Sequence, residues 1–135
     1  MSDLDTQLFA FFEEFRRVDL IYGAYGCRCG LSFSVYLIFD YICENDGTSQ
    51  REICAYTLLP HQTVNNVINA LISQGLLRLE GSRHGKRVKR IHLTDAGERY
   101  RHEVVMPVRE AELQSMAALE PAERRAMIAY VATSS

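Results

Sequence analysis

The order of signals between Ser49 and Gly97 constrains the fold more than any other feature of the chain. Ser49 precedes Glu52 by three residues, the spacing at which the two side chains can exchange hydrogen bonds with the free N–H groups of a first helical turn. A helix is predicted from there through Ile53, Cys54 and Tyr56 to about Leu58. Pro60 ends it, having no N–H to donate, yet fits the first turn of a helix that follows. In that second helix Val64, Val67, Ile68 and Leu71 share one face, and Gln62, Asn65, Asn66, Asn69 and Ser73 share the other. Gly75 suits the left-handed end of the helix. Leu76 to Glu80 then alternates as a strand, Gly81 to Gly85 forms a hairpin tip, and Val88 to Leu93 returns. Thr94 can cap a third helix. Two short helices, a hairpin and a third helix in that order make a winged helix-turn-helix.

The second helix carries three Asn residues, which are poor helix formers because the side chain competes for backbone groups. Asn and Gln amides can bond bidentately to the N6/N7 edge of adenine in a major groove, a physical reason to keep them on an exposed face. A merely solvated surface also fits that face taken alone. The hairpin tips the comparison. From Arg78 to Arg90 there are six basic residues (Arg78, Arg83, Lys86, Arg87, Lys89 and Arg90) against Glu80, a segment charge of +5 in a chain of −2, which leaves −7 elsewhere. Such segregation suits a protein with one face on phosphate and an acidic, soluble remainder. His61, at the start of the second helix, and His84, at the hairpin tip, could also meet phosphate; His92 and His102 are expected at or near the surface.

These residues resemble the multiple antibiotic resistance regulator (MarR) family of bacterial transcription factors. The similarity is most specific at Thr48 to Ile53, Thr63 through Leu71, Gly75 to Leu77, and Leu93 to Gly97, and weaker at Leu31-Ser32 and from Leu119 to Glu123. The resemblance implies a mainly α protein with a small β-wing, a single domain over 1–135. Within it, a winged helix-turn-helix core over 31–97 is flanked by dimerisation helices over 3–25 and 95–133. It implies a homodimer on a pseudo-palindromic operator in double-stranded DNA. His61, Gln62, Thr63, Asn65, Asn66 and Asn69 would make groove contacts, with Arg83, Lys86 and Arg87 at the wing. The family usually has Asp-x-Arg at the wing tip; here Arg87 matches the Arg, and Gly85 stands where the Asp would be. Gln62 takes a position usually held by Ser, and Asn66 one often held by Arg, which implies a different operator. Repression rather than activation follows from the family's habit.

The flanks agree with an assembly. Leu4, Leu8, Phe9, Phe11, Phe12, Phe15, Val18 and Ile21 form an apolar stripe too broad for a lone surface helix. A further helix from Thr94 through Tyr100, Val104, Val105 and Val108 toward Leu119 is expected to kink at Pro107, and Pro121 starts a last one. A second copy of the chain would cover these faces; an intramolecular helical core is the competing explanation. At 135 residues and 47% hydrophobic content the chain is one domain's worth. No apolar run approaches the ~20 residues that span a bilayer, and the acidic N-terminus is unlike a secretory signal. A cytoplasmic location without membrane contact is expected, with Cys27, Cys29, Cys43 and Cys54 as free thiols.

Aromatic residues gather between the first helix and the one beginning near Ser32, with Arg16 and Arg28 nearby. An aromatic pocket beside a cation would suit a small aromatic acid, and relatives in the family release DNA on binding phenolic ligands at that location. Phe12, Arg16, Tyr22, Tyr36 and Phe39 are the candidate effector contacts. Plain core packing fits the same spacing. Cys27 and Cys29, placed in the turn after the first helix beside Arg28, offer a thiol-based sensor instead. A metal-responsive regulator would need Asp40, Cys43 or His102 to join them, since Cys-x-Cys alone is no zinc motif. Cys54, where helix-turn-helix proteins keep a small residue, is expected buried and inert. No phosphate loop, nucleophile elbow or zinc-protease spacing is present, so no catalytic residues, metal or cofactor are expected. A winged-helix interaction module without specific DNA binding is the remaining alternative.

Overall fold

The structure is a computed structural model describing residues 1–81 and 89–134. Helix α1 (Asp3–Cys29) is followed by α2 (Phe33–Glu44), α3 (Gln50–Thr57), α4 (His61–Ser73), strands β1 (Leu77–Glu80) and β2 (Arg90–Leu93), and α5 (Asp95–Tyr100). A π-helical turn (Arg101–Val105), α6 (Met106–Ala117) and α7 (Pro121–Ser134) complete it. The architecture is mainly α with a small two-stranded sheet, as expected. No helix among the described residues is long and apolar enough to cross a membrane.

Local chemistry accounts for most boundaries. Ser32, Ser49 and Thr94 cap α2, α3 and α5, each accepting a hydrogen bond from the backbone N–H three residues on. The reciprocal half of the box expected at Ser49 is absent: the Glu52 carboxylate accepts from the Thr48 hydroxyl at 3.1 Å instead. Thr48 and Ser49 are buried, so a hydroxyl partner for Glu52 also satisfies a polar group removed from water. Gly75 takes φ +76, and the chain turns from α4 into β1 there. Leu77 pairs with Leu93 and Leu79 with Ile91 across the antiparallel ladder.

The core lies within residues 31–97 except for Val105, which joins it from the π-helical turn. Ile38, Phe39, Ile42, Ile53, Val64, Ile68, Leu71, Leu77, Ile91 and Val105 are almost fully buried. The α4 face expected to be buried contributes Val64, Ile68 and Leu71, with Val67 half-buried. Gly97 fixes how closely α5 approaches the sheet, because a Cβ there would run into the Leu76 carbonyl and the Leu93 side chain.

The flanking helices differ from expectation in two respects. Helix α1 continues past the expected end to Cys29, where Gly30 at φ +71 closes it, so Cys27 and Cys29 occupy a last helical turn rather than a following loop. The helix expected to run on from Thr94 is broken before Pro107 by a π-helical turn. Pro107 lacks an N–H and its ring crowds the carbonyl four residues back, which a wider turn accommodates. Neither α1, α6 nor α7 buries a residue fully.

Candidate functional site

Helix α4 presents a polar, uncharged stripe. His61, Gln62, Asn66, Asn69 and Ser73 are exposed, whereas Thr63 and Asn65 are half-buried toward the body of the unit. Gln62 donates from Nε2 to the Asn66 side-chain oxygen at 2.8 Å, which orients both amides one turn apart on the exposed face. Cys54 is half-buried rather than buried, and its Sγ lies 3.6 Å from Nδ1 of His61. That contact links α3 to the first turn of α4. Arg83, Lys86 and Arg87 lie outside the described residues, as does His84.

Polar side chains gather at the sheet root. His92 on β2 sits between two carboxylates, with Nδ1 3.0 Å from Asp46 Oδ1 and Nε2 2.9 Å from Glu80 Oε2. Arg90 donates to the Gly47 carbonyl at 3.0 Å. Arg90, a member of the basic segment, therefore braces the strand end instead of projecting freely.

A cavity of about 680 Å³ opens between α1, α2 and α6. Its walls include Val18, Tyr22, Tyr25, Phe33, Tyr36 and Val108, and Asp19, Cys27 and Glu112 also line it. A second space of about 540 Å³ shares Tyr22, Tyr25, Val108 and Glu112. Of the expected effector contacts, Tyr22 and Tyr36 line the cavity. Phe39 does not: it is 0% exposed and packs edge-to-face on Tyr100, with ring centroids 5.2 Å apart. Tyr36 and Phe39 share one broad helix face, and the packing of Tyr100 puts Phe39 on its core side. Phe12 and Arg16 are exposed and outside the lining, since they lie nearer the N-terminal half of α1.

Sequence reasoning missed Glu112, for which an acidic residue on a polar helix gave no signal. The Tyr22 hydroxyl donates to Glu112 Oε2 at 3.0 Å and the Tyr36 hydroxyl to Oε1 at 2.8 Å. Burial, reinforced by hydrogen bonding to Glu112 and its charge, raises both phenol pKa values, so both remain protonated donors. Beside them the Tyr25 hydroxyl donates to the Val104 carbonyl at 2.7 Å, and the Cys29 thiol donates to the Tyr25 carbonyl at 3.0 Å. Cys27 is exposed. Among the described residues no group of three His, Cys, Asp or Glu is arranged to hold a metal ion.

With this geometry in place, residues 30–88 match the model of the MarR family. That segment is similar to the MarR family, and it spans the helix-turn-helix and the first strand of the sheet. Members of the MarR family are transcriptional regulators rather than enzymes. The likeness extends over nearly the whole chain in solved structures. The transcriptional regulator SlyA is 22% identical, with 98% of this chain and 91% of that one covered at a TM-score of 0.71. PcaV from Streptomyces coelicolor, solved with its natural ligand, is 18% identical over 98% and 94% of the two chains at 0.72. Staphylococcus aureus MarR, in complex with salicylate and kanamycin, is 20% identical over 97% and 90% at 0.72. At these identities the shared property is the MarR fold. No curated protein matches by sequence.

Proposed function

We propose that this chain is a homodimeric, sequence-specific DNA-binding regulator, acting as a repressor that a small effector releases from a pseudo-palindromic operator. The observation that carries the reading is the exposed amide stripe on α4, where Gln62 and Asn66 are hydrogen-bonded to each other in an arrangement suited to base edges. His61 and Asn69 extend the same surface, with Thr63 and Asn65 at its half-buried margin. Arg83, Lys86 and Arg87 supply charge for the adjacent backbone and minor groove.

A dimer is supported by area. A compact monomer of this length would expose about 7,200 Å², whereas this chain exposes 9979 Å². Leu4, Phe9 and Leu20 of α1 and Ile128 and Val131 of α7 are exposed. Phe11 packs edge-to-face on Tyr130, so α1 and α7 form one continuous apolar surface. An excess of about 2,800 Å² per chain, about 5,600 Å² for two, matches the large interfaces of obligate homodimers. In this reading residues 31–97 read DNA, helices over 3–29 and 95–133 pair the two copies, and the α1–α2–α6 cavity, at the junction of the two parts, receives the effector.

The deciding experiment is binding to the DNA upstream of the chain's own gene, against random competitor, at two salt concentrations. Tight binding that survives competitor and weakens steeply with salt is the expected result. Binding abolished by random DNA would overturn sequence specificity.

A further inference from the structure

On the footing of an effector-controlled regulator, we propose that the cavity between α1, α2 and α6 selects a lipophilic organic cation and rejects an aromatic acid. Four aromatic rings, those of Tyr22, Tyr25, Phe33 and Tyr36, surround it, and the charged groups in its wall are Asp19 and Glu112. Among the described residues no Lys or Arg lines it. Aromatic faces carry negative potential and attract cations, most strongly where water is partly excluded. The carboxylates act in the same direction.

Glu112 is held through both of its carboxylate oxygens. Tyr22 and Tyr36 donate hydrogen bonds to its two oxygens, which stabilises the carboxylate without cancelling it. The neighbouring guanidinium that could cancel it is committed elsewhere: Arg109 lies 3.5 Å from Asp40 and 3.3 Å from Glu44. Arg28 stands 6.0 Å from the Tyr25 ring centroid and lies outside the cavity wall. A carboxylate ligand entering this space would meet two like charges and leave its own oxygens without a cationic partner. A cation gains ring faces and two carboxylates at once. With about 680 Å³ available, the space accommodates a multi-ring ligand.

The test uses the full chain without DNA and two probes of one shape and opposite charge, tetraphenylphosphonium and tetraphenylborate, titrated calorimetrically in sodium buffer. The expected result is saturable binding of one phosphonium per chain, with the borate at least about tenfold weaker. Glu112→Gln should weaken the phosphonium at least about tenfold, and Asp19→Asn should weaken it by a smaller factor. Glu110→Gln, which changes net charge equally from an exposed site on the same helix, should leave it unchanged. Circular dichroism melts of each variant separate ligand loss from unfolding. Equal binding of the two probes, absence of phosphonium binding, or indifference to Glu112→Gln and Asp19→Asn in folded protein would each overturn the proposal. A DNA titration run in parallel keeps the two readings apart. Phosphonium binding without any DNA binding removes the regulator and leaves the cation site standing, while DNA binding without phosphonium binding does the reverse.

Discussion

The Tyr36 hydroxyl donates a 2.8 Å hydrogen bond to Glu112, fastening α2 of the winged-helix unit to α6 across the wall of the cavity. Glu112 also accepts from Tyr22 of α1, so one carboxylate joins three helices. Any ligand that reaches Glu112 meets the same group that ties α1 and α2 to α6. Removing the Tyr36 hydroxyl should therefore loosen the joint. Tyr36→Phe is expected to cost about 1 kcal/mol, lowering Tm by about 4 °C. A thermal melt of the variant checks this, and an unchanged Tm would mean that water replaces the bond without loss.

Gly97→Ala should destabilise by about 1–3 kcal/mol, because its Cβ would press on the Leu76 backbone, which cannot rotate away. Urea denaturation gives the value. A neutral result would show that α5 can shift outward from the sheet freely.

On DNA, Gln62→Ala and Asn66→Ala should each lose about 1–3 kcal/mol of discrimination at one or two base pairs. Because Gln62 holds Asn66, their losses should not add, and the double variant should fall short of the sum by at least about 0.5 kcal/mol. Arg83→Ala should instead weaken all sequences alike and reduce the salt slope by about one unit. Anisotropy titrations on operator and random duplexes distinguish the two behaviours.

Phe9→Glu combined with Ile128→Glu should convert a dimer into a monomer, measured as molar mass by light scattering. Both residues are exposed in the single chain and absent from its core, so far-UV circular dichroism of the central unit should persist. Retention of dimer mass would move the interface off these two helices.

Burial pushes the Cys43 thiol from an ordinary value of 9.0 up to about 12. The folded chain thus favours the protonated thiol, whose contribution to stability is complete below the ordinary value and is lost as pH rises toward the raised one. Tyr36 is shifted in the same sense, mainly by burial. Urea midpoints should be insensitive to Cys43 ionisation at neutral pH and decline above pH 9. Cys43→Ala should show a shallower alkaline decline, and parallel curves for the two proteins would exclude the thiol as its source.

The chain announces its helix starts and its turn chemistry because these depend on neighbours in sequence. Ser49, Thr94 and Gly75 each perform the local task their residue type suits. Glu52 departs from its expected partner because Thr48, buried by the rest of the fold, competes for its carboxylate. The same division runs through the site. Tyr36 and Phe39 look equivalent as aromatic residues on one helix, yet the first borders the cavity and the second fills the core. Periodicity places both on a broad apolar face and cannot say where along its width the neighbouring helices stop.

Sequence by itself determined the winged-helix order, the buried stripe of α4 and its opposed amide face, since each follows from spacing within one element. The tertiary structure alone decided the cavity's charge. Arg16 lies outside the lining, while Glu112, 76 residues along the chain from Tyr36, lies inside it. Long-range packing brought that carboxylate between two phenols, and no local pattern records a contact made across such a separation.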